Sequence, residues 1–239
     1  MAAKKAGREQ ILAHFFDDGA YTPLYTQGAV SAAYGCATGQ TVYAVCQDGS
    51  PVGVKDIDKT VRVLEMAAET GAPVVTFYDS TGAKLEGGLD LLAANSRLTA
   101  EIARVSGVVP QIAVVTGVCA GSASICAAAA DICIVAEGTE LFLTAPFNSE
   151  DKVEGAGSAA FAAKAGVEAV HAADAQDAAR LAARLVGMLP GNNLAGPAAF
   201  DFAAPAATLN LAKYAPAAAA AAVADADSLI ELYAGYGEN

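Results

Sequence analysis

The sequence predicts an α/β fold in which helices alternate with the short buried strands of a mostly parallel sheet. An apolar run at 74–78 ends in a turn of small residues and leads into a helix, and the same order recurs from 111–116. Both runs are rich in β-branched residues and do not alternate with polar ones, as in strands that are buried on both faces. Strands that alternate with helices indicate parallel pairing.

The elements before residue 74 follow from apolar spacing and from residues that end helices. Residues 5–18 have apolar positions at helical spacing, which predicts a helix closed by an Asp-Asp-Gly turn. Residues 41–46 (TVYAVC) form a β-type run. Residues 58–70 again show helical spacing, and Gly71 and Pro73 end that helix.

Within the repeated segment we predict a helix over 89–105, a strand over 111–116, a turn over 117–121, a helix over 122–130 and a strand over 131–136. After Pro146 come a polar loop, an alanine-rich helix and a short apolar run at 168–171. Asp174 is typical of an N-cap for the next helix. Residues 188–205 allow no assignment, and residues 225–234 are expected to be helical.

Composition excludes several classes of function. The net charge of −12 opposes nucleic-acid binding, which needs a basic face. No run of strongly apolar residues is long enough to cross a membrane, and no apolar stretch follows the early lysines as in a secretory signal. We therefore expect a cytoplasmic protein. Its five cysteines form no C-x-x-C pair, so we expect reduced, buried thiols and no metal.

The two strand-to-helix turns carry the functional hypothesis. A strand that ends in glycine at the start of a helix leaves backbone N–H groups without partners, and such groups bind anions or developing oxyanions. Two turns of this kind suggest an acyl-group site built from main chain.

Several segments resemble the carboxyltransferase subunits of biotin-dependent acyl-CoA carboxylases. Residues 71–88 (GAPVVTFYDSTGAKLEGG) and 107–146, with CAGSAS and EGTELFLTAP, resemble the two glycine motifs of that family. Residues 8–21 are similar to its opening helix. LPGNN at 189–193 and the tail 225–239 are similar to the stretch that joins its two halves.

The resemblance implies a crotonase-like ββα spiral formed by residues 1–239 as one N-type carboxyltransferase domain, with an N-terminal helix in 1–20 and a helical tail in 206–239. It implies that the chain binds an acyl-CoA thioester and stabilises its enolate for carboxyl transfer to or from biotin. The chain is similar to the CoA-binding half, so the resemblance also implies a separate C-type subunit, a biotin carboxyl carrier protein that holds the biotin, and a homo- or hetero-oligomer.

The resemblance assigns roles to particular residues. The amides of Gly121 and Ser122 are expected to hold the thioester carbonyl oxygen, and those of Gly82 and Ala83 are the second pair of donors. Asp79 is expected to cap its turn rather than act as a base.

Four cations are the expected ligands of the CoA phosphates: Lys55, Lys59, Arg62 and Lys84. Lys84 stands where the family has arginine, and Thr81 and Ser122 stand where it has glycine.

Other functions remain open at this point. The chain could belong to a malonate or glutaconyl-CoA decarboxylase complex, or it could be a non-catalytic scaffold, given the departures at Thr81, Lys84 and Ser122. A serine hydrolase would pair Ser122 with His14 or His171. A hydratase would need a carboxylate pair after the second motif, and residues 123–130 contain none.

Overall fold

The computed structural model describes residues 7–148, 150, 153–197, 216–225 and 228–236. Within these ranges the strands are β1 Tyr21–Tyr25, β2 Val30–Ala37, β3 Gln40–Gln47, β4 Val74–Tyr78, β5 Gln111–Val115, β6 Val118–Ala120, β7 Ile132–Ala136, β8 Glu140–Phe142 and β9 Val170–Ala172. The α-helices are α1 Arg8–Phe15, α2 Val54–Thr70, α3 Gly88–Val105, α4 Ser122–Ala128, α5 Ala159–Lys164, α6 Ala175–Met188 and α7 Pro216–Val223. None of the helices in the described ranges is long and apolar enough to cross a membrane.

A seven-stranded sheet forms the centre of the molecule, in the order β1-β2-β3-β4-β5-β7-β9. The β1–β2 and β2–β3 pairs are antiparallel, and every later pair in this sheet is parallel. Strands β6 and β8 form a separate parallel pair. The predicted α/β class with mostly parallel pairing is therefore confirmed.

Helices cover both faces of the large sheet. The side chains of β4 pack against helices on each face in turn. Val75 and Phe77 pack in a cluster with residues of α1 and α6, whereas Val74 and Tyr78 pack in a cluster with residues of α2 and α3. All five residues of β4 are buried. The absence of a polar alternation in the sequence is thus explained by burial on two sides.

Four strands were not anticipated from the sequence. Strand β1 contains Pro23, which is unusual in a strand, and lies at the edge of the sheet, where proline is tolerated. Strand β2 is composed largely of small residues, and β6 and β8 have three residues each. Such short or small-residue segments give little periodic signal.

The C-terminal prediction was right about a helix within 206–239 and wrong about the helix expected over 225–234. The helix lies at Pro216–Val223, where proline at the first position suits a helix start. Residues 228–236 form bends and turns instead of the expected helix, and Tyr233 has a φ of 59°, which a helix does not accommodate. Residues 206–215, 226, 227 and 237–239 of the predicted tail lie outside the described residues. So do residues 1–6 of the predicted N-terminal helix.

The turns after β4 and before β6 are hydrogen-bonded to each other. The Ser80 amide donates to the Val118 carbonyl over 2.8 Å, and the Val118 amide donates to Asp79 Oδ1 over 3.3 Å. The Asp79 side chain therefore joins two turns that are 39 residues apart in sequence. Gly117 makes room for this carboxylate, because a Cβ at that position would overlap it.

We expect Gly117→Ala to destabilise the protein by about 1–3 kcal/mol, since the added methyl group must displace the Asp79 carboxylate. Urea denaturation of the two proteins measures the difference. Gly196→Ala is the matched control, because a Cβ there meets open space. Equal stability of Gly117→Ala and the control would contradict this account of the two turns.

Candidate active site

A cavity of about 210 Å³ lies where the turns after β4 and β6 meet helices α2, α3 and α4. The four residues predicted as amide donors, Gly82, Ala83, Gly121 and Ser122, all line it. The structure therefore brings the two glycine motifs of the sequence to one cavity, although they are separated by a helix and two strands.

The amides of the two glycines already have partners inside the protein. The Gly82 N–H donates to Ser80 Oγ over 3.1 Å, and the Gly121 N–H donates to the Phe142 carbonyl over 3.0 Å. These contacts hold the shapes of the turns, and they leave no free hydrogen for a ligand. We therefore remove Gly82 and Gly121 from the set of expected donors.

The amides of Ala83 and Ser122 are different. Ala83 pairs with Val52 in an isolated parallel bridge, in which the Val52 amide donates to Gly82 and the Val52 carbonyl accepts from Lys84. The Ala83 N–H consequently points away from Val52. Ser122 is the first residue of α4, a position whose N–H has no intrahelical acceptor. Among the described residues no acceptor bonds to either amide.

The cavity wall carries little charge. Burial raises the pKa of Tyr78 well above its ordinary value, with smaller contributions from nearby cysteines, so its hydroxyl stays neutral. Outside the lining, burial also raises the pKa of the Cys119 and Cys126 thiols, and that of Cys133 to about 12. In such an apolar setting a hydrogen bond from a backbone amide is electrostatically stronger than in water.

The cysteine prediction holds for four of the five residues. All five are free thiols, and Cys46, Cys119, Cys126 and Cys133 are buried, whereas Cys36 is exposed.

The side chain of Lys59 is hydrogen-bonded inside the protein, which the sequence did not reveal. Its Nζ donates to the Gln27 carbonyl over 2.6 Å, to the Val30 carbonyl over 3.3 Å and to Asp56 Oδ1 over 2.9 Å. An ammonium group has three donors, and these three oxygens use all of them. The expectation that Lys59 binds a CoA phosphate is therefore withdrawn.

The other three expected cations differ in how far their charges are already paired within the protein. Arg62 forms ion pairs with Glu65 and Glu69 on its own helix, over 2.9 and 3.5 Å. Lys55 is exposed near the start of α2. Lys84 follows Ala83 directly and has a half-exposed side chain, with Nζ 4.0 Å from Asp56 Oδ2. Of the four cations, Lys55 and Lys84 therefore remain candidates for binding CoA phosphates beside the cavity.

Asp56 is the buried carboxylate that organises this end of α2. Its Oδ2 accepts the Gly53 amide over 3.2 Å, and its other oxygen accepts from Lys59. Burial raises the pKa of Asp56, but the hydrogen bonds from Lys59 and Gly53 and the charges of Lys59 and Lys84 outweigh burial and lower it overall. The ionised form is therefore favoured in the folded protein.

We expect Asp56→Asn to destabilise the protein by about 1.5–3 kcal/mol near neutral pH, because a charged hydrogen-bond acceptor is lost. The folded pKa of Asp56 lies below its ordinary value of 3.8, so its contribution is complete above 3.8 and disappears as pH falls through the folded pKa. The difference from wild type should therefore shrink in acid.

Denaturant unfolding at neutral pH and at about pH 3 measures this difference. Asp58→Asn is the control, since Asp58 forms an exposed ion pair with Arg97 and such pairs contribute at most about 1 kcal/mol. A difference between wild type and Asp56→Asn that does not depend on pH would contradict the assignment.

The geometry does not favour a serine hydrolase. Ser122 Oγ donates to Asn95 Oδ1 over 2.8 Å rather than to a histidine. His171 lies between Glu168 and Glu137, at 3.4 Å from each, and His14 Nδ1 contacts the Gln10 carbonyl. A nucleophilic serine needs a base within hydrogen-bond reach, and neither histidine contacts Ser122.

The polar residues of the cavity that the sequence analysis missed include Ser80 and Asn95. Ser80 fixes the first turn, because its hydroxyl oxygen accepts the Gly82 amide and its single hydrogen lies within reach of the carbonyls of Ser50 and Gly82. Asn95 lies in the middle of α3 and reaches α4. Ser80 could have been suspected from its place beside Asp79, but nothing in the helix pattern distinguishes Asn95.

A comparison with known protein families supports the resemblance that the two glycine motifs indicate. The carboxyl transferase domain family matches residues 7–239. The chain belongs to this family. The propionyl-CoA carboxylase beta chain of Rhodococcus erythropolis is 33% identical over 191 residues, which make up 74% of this chain and 40% of that protein. The methylmalonyl-CoA decarboxylase alpha subunit of Veillonella parvula is 32% identical over 180 residues, 70% of this chain and 35% of that protein. The chain thus spans well under half the length of these curated relatives.

A solved structure confirms the crotonase-like fold. Transcarboxylase 12S, a hexamer described with methylmalonyl-CoA and methylmalonic acid bound, superposes with a TM-score of 0.86 at 26% identity. The match covers 97% of this chain and 53% of that one. The family member described here therefore corresponds in fold to about half of the transcarboxylase chain.

Proposed function

We propose that this chain binds an acyl-CoA thioester and stabilises its enolate for carboxyl transfer to or from biotin. The observation that carries the proposal is that two amides on one small uncharged cavity, those of Ala83 and Ser122, have no hydrogen-bond partner within the described ranges of the chain. Each amide belongs to one of the two glycine motifs.

The two amides would act on the thioester carbonyl oxygen. Removal of a proton or a carboxyl group at the neighbouring carbon places negative charge on this oxygen, and fixed donors stabilise that charge without having to reorient. Loss of one such donor raises a barrier by about 2.7–4 kcal/mol. The hydrogen bonds of Ser80 and of the Gly121 amide hold both turns in place, so the donors are ordered before the substrate binds.

Lys55 and Lys84 are the proposed contacts for CoA phosphates. Lys84 adjoins Ala83, and Lys55 is exposed near the start of α2, whose Ile57 lines the cavity. The charge on Lys84 is partly balanced by Asp56, whereas Lys55 is not paired with any acidic side chain among the described residues.

The partner subunits belong to the proposal. Biotin on a carrier protein would supply or accept the carboxyl group, and a separate C-type half would complete the site. Correspondence to about half of the transcarboxylase chain supports the need for a second half, whether it lies on a separate chain or not. We also propose a cytoplasmic location, which free thiols are consistent with.

A decarboxylase complex is the second candidate. It is favoured by the similarity to the Veillonella decarboxylase alpha subunit. The same two amides would serve this reaction, since loss of a carboxyl group from a malonyl-type thioester also produces an enolate. The direction would then be set by the partner subunits.

Ser122→Pro tests the amide directly. Proline is tolerated at the first position of a helix and removes the N–H at issue. It also removes the hydroxyl that donates to Asn95, and Ser122→Ala controls for that loss. Wild type should bind propionyl-CoA more tightly than S-propyl-CoA, a thioether without the carbonyl, by about 5-fold or more for two hydrogen bonds of about 0.5–1.5 kcal/mol each. The preference should fall in Ser122→Pro and be largely kept in Ser122→Ala, which retains the amide.

Isothermal titration calorimetry with the two ligands measures this preference. Equal affinity of wild type for the thioester and the thioether would show that the carbonyl oxygen is not bound. A preference that Ser122→Pro retains in full would exclude the Ser122 amide as a donor.

Turnover provides a further prediction. Carboxyl transfer is expected only when the chain is combined with a C-type half and a biotinylated carrier protein. In that mixture Ser122→Pro should lower kcat by about 10²- to 10³-fold, and Ser122→Ala by much less. Transfer at the full rate without a second half would contradict the proposed division of the site.

A further inference from the structure

Gln47 is the last residue of β3 and lines the cavity. Successive side chains of a strand point to opposite faces of the sheet. Tyr43 and Val45 pack in the cluster that includes residues of α2 and α3. Ala44 and Cys46 pack in the other cluster, with residues of α1 and α6. By this alternation the side chain of Gln47 lies on the sheet face that bears the cavity.

One end of the Gln47 side-chain amide is held by the protein. Its Oε1 accepts the backbone N–H of Asp79 over 3.0 Å. Because an N–H needs an acceptor, this contact decides which end of the amide is the oxygen and which is the nitrogen. The Nε2 end has two hydrogens to donate. Within the described ranges of the chain, no acceptor is hydrogen-bonded to it.

Other polar side chains of the lining already donate inside the protein. The Ser122 hydroxyl donates to Asn95, and the Asn95 amide donates to the Leu91 carbonyl. The single hydroxyl hydrogen of Ser80 lies within reach of two backbone carbonyls. Gln47 differs from these three in having both amide hydrogens available to a ligand.

We propose that Gln47 Nε2 donates to the carboxylate of a malonyl-type thioester, which is the group that is transferred. The inference rests on the proposed function and adds a specificity-determining residue to that site. The amides of Ala83 and Ser122 supply two donors for the thioester oxygen, which has two lone pairs to satisfy. The carboxylate brings two further oxygens into the cavity, and burying it without donors is costly. The free hydrogens of Gln47 supply that need.

A neutral donor suits this position because of the direction in which charge moves. When the bond to the carboxyl carbon breaks, its electron pair passes to the enolate and the carboxyl group leaves for biotin. A lysine or arginine bound to the carboxylate would stabilise the state before transfer and so raise the barrier. An uncharged amide binds the carboxylate less strongly, and the backbone amides act where the charge develops. Among the described residues, no charged side chain lines the cavity.

The test compares malonyl-CoA with acetyl-CoA, which lacks only the carboxylate, by isothermal titration calorimetry. Gln47→Met removes the side-chain amide at nearly the same length. Gln47→Glu keeps an oxygen for the Asp79 N–H but has no hydrogen to donate when it is ionised. Gln40→Met is the matched control, because Gln40 is the first residue of the same strand and lies outside the cavity lining. Circular dichroism confirms that each protein is folded.

In Gln47→Met the ratio of malonyl-CoA affinity to acetyl-CoA affinity should fall by about 10-fold or more, because a hydrogen bond to a charged group is lost. Its affinity for acetyl-CoA should change by about twofold at most, since that ligand lacks the group that Gln47 binds. In Gln47→Glu the ratio should fall at least as far, because two nearby carboxylates repel each other. Gln40→Met should keep the wild-type ratio.

The contrary outcomes can be told apart. If the folded Gln47 variants keep the wild-type ratio, or if Gln47→Met weakens both thioesters alike, Gln47 only supports the turn at Asp79. The assignment is then overturned while the proposed function stands. If one variant fails to fold, the ratio in the other decides. If wild type binds neither thioester, the proposed function fails, and the role of Gln47 fails with it.

Discussion

The arrangement of the candidate site depends on the hydrogen bonds between the turns that flank it. The Ser80 amide donates to Val118, and Val118 donates back to the carboxylate of Asp79. Gly117 is required beside them because Asp79 occupies the space of its side chain. With these turns joined, Ala83 and Ser122 lie on one cavity, although nearly forty residues separate them in sequence. The Asp79 carboxylate, which the sequence predicts to cap its own turn, thus also connects that turn to a second one.

Among the described residues, no charged side chain lines the cavity, and Lys84 directly follows the lining residue Ala83. Buried thiols and Tyr78 have raised pKa values and remain protonated. Lys59 is fully used within the protein, and together with Asp56 it anchors the start of α2 to the loop before β2. Lys84 and Lys55 are left toward solvent. This division suits a ligand with an apolar reactive end and a polyanionic remainder.

The sequence predicts the central elements well because their signals are local. Strand β4 was placed at its observed bounds, since its residues are β-branched or aromatic and buried on both faces. The N-cap of α6 was also correct, as Asp174 accepts the amides of Gln176 and Asp177. Strand β2, with its alanines and glycine, and the three-residue β6 and β8 lack such a signal.

Within the site, the sequence identifies the turns, but it does not show which backbone amides are hydrogen-bonded inside the protein. Whether an N–H is free depends on distant acceptors: Phe142 lies 21 positions after Gly121, and no local pattern links them. The same holds for Asn95 and Ser122, which are 27 residues apart and meet only because α3 and α4 are neighbours. Contacts of this kind follow from packing, which one sequence does not specify.

The central claim is that the amides of Ala83 and Ser122 hold one carbonyl oxygen. A crystal structure of the protein with a bound short-chain acyl-CoA tests it most directly. The account predicts the thioester oxygen within hydrogen-bond distance of both amide nitrogens, at about 2.7–3.2 Å. A thioester bound elsewhere, or one whose oxygen contacts neither amide, would contradict it.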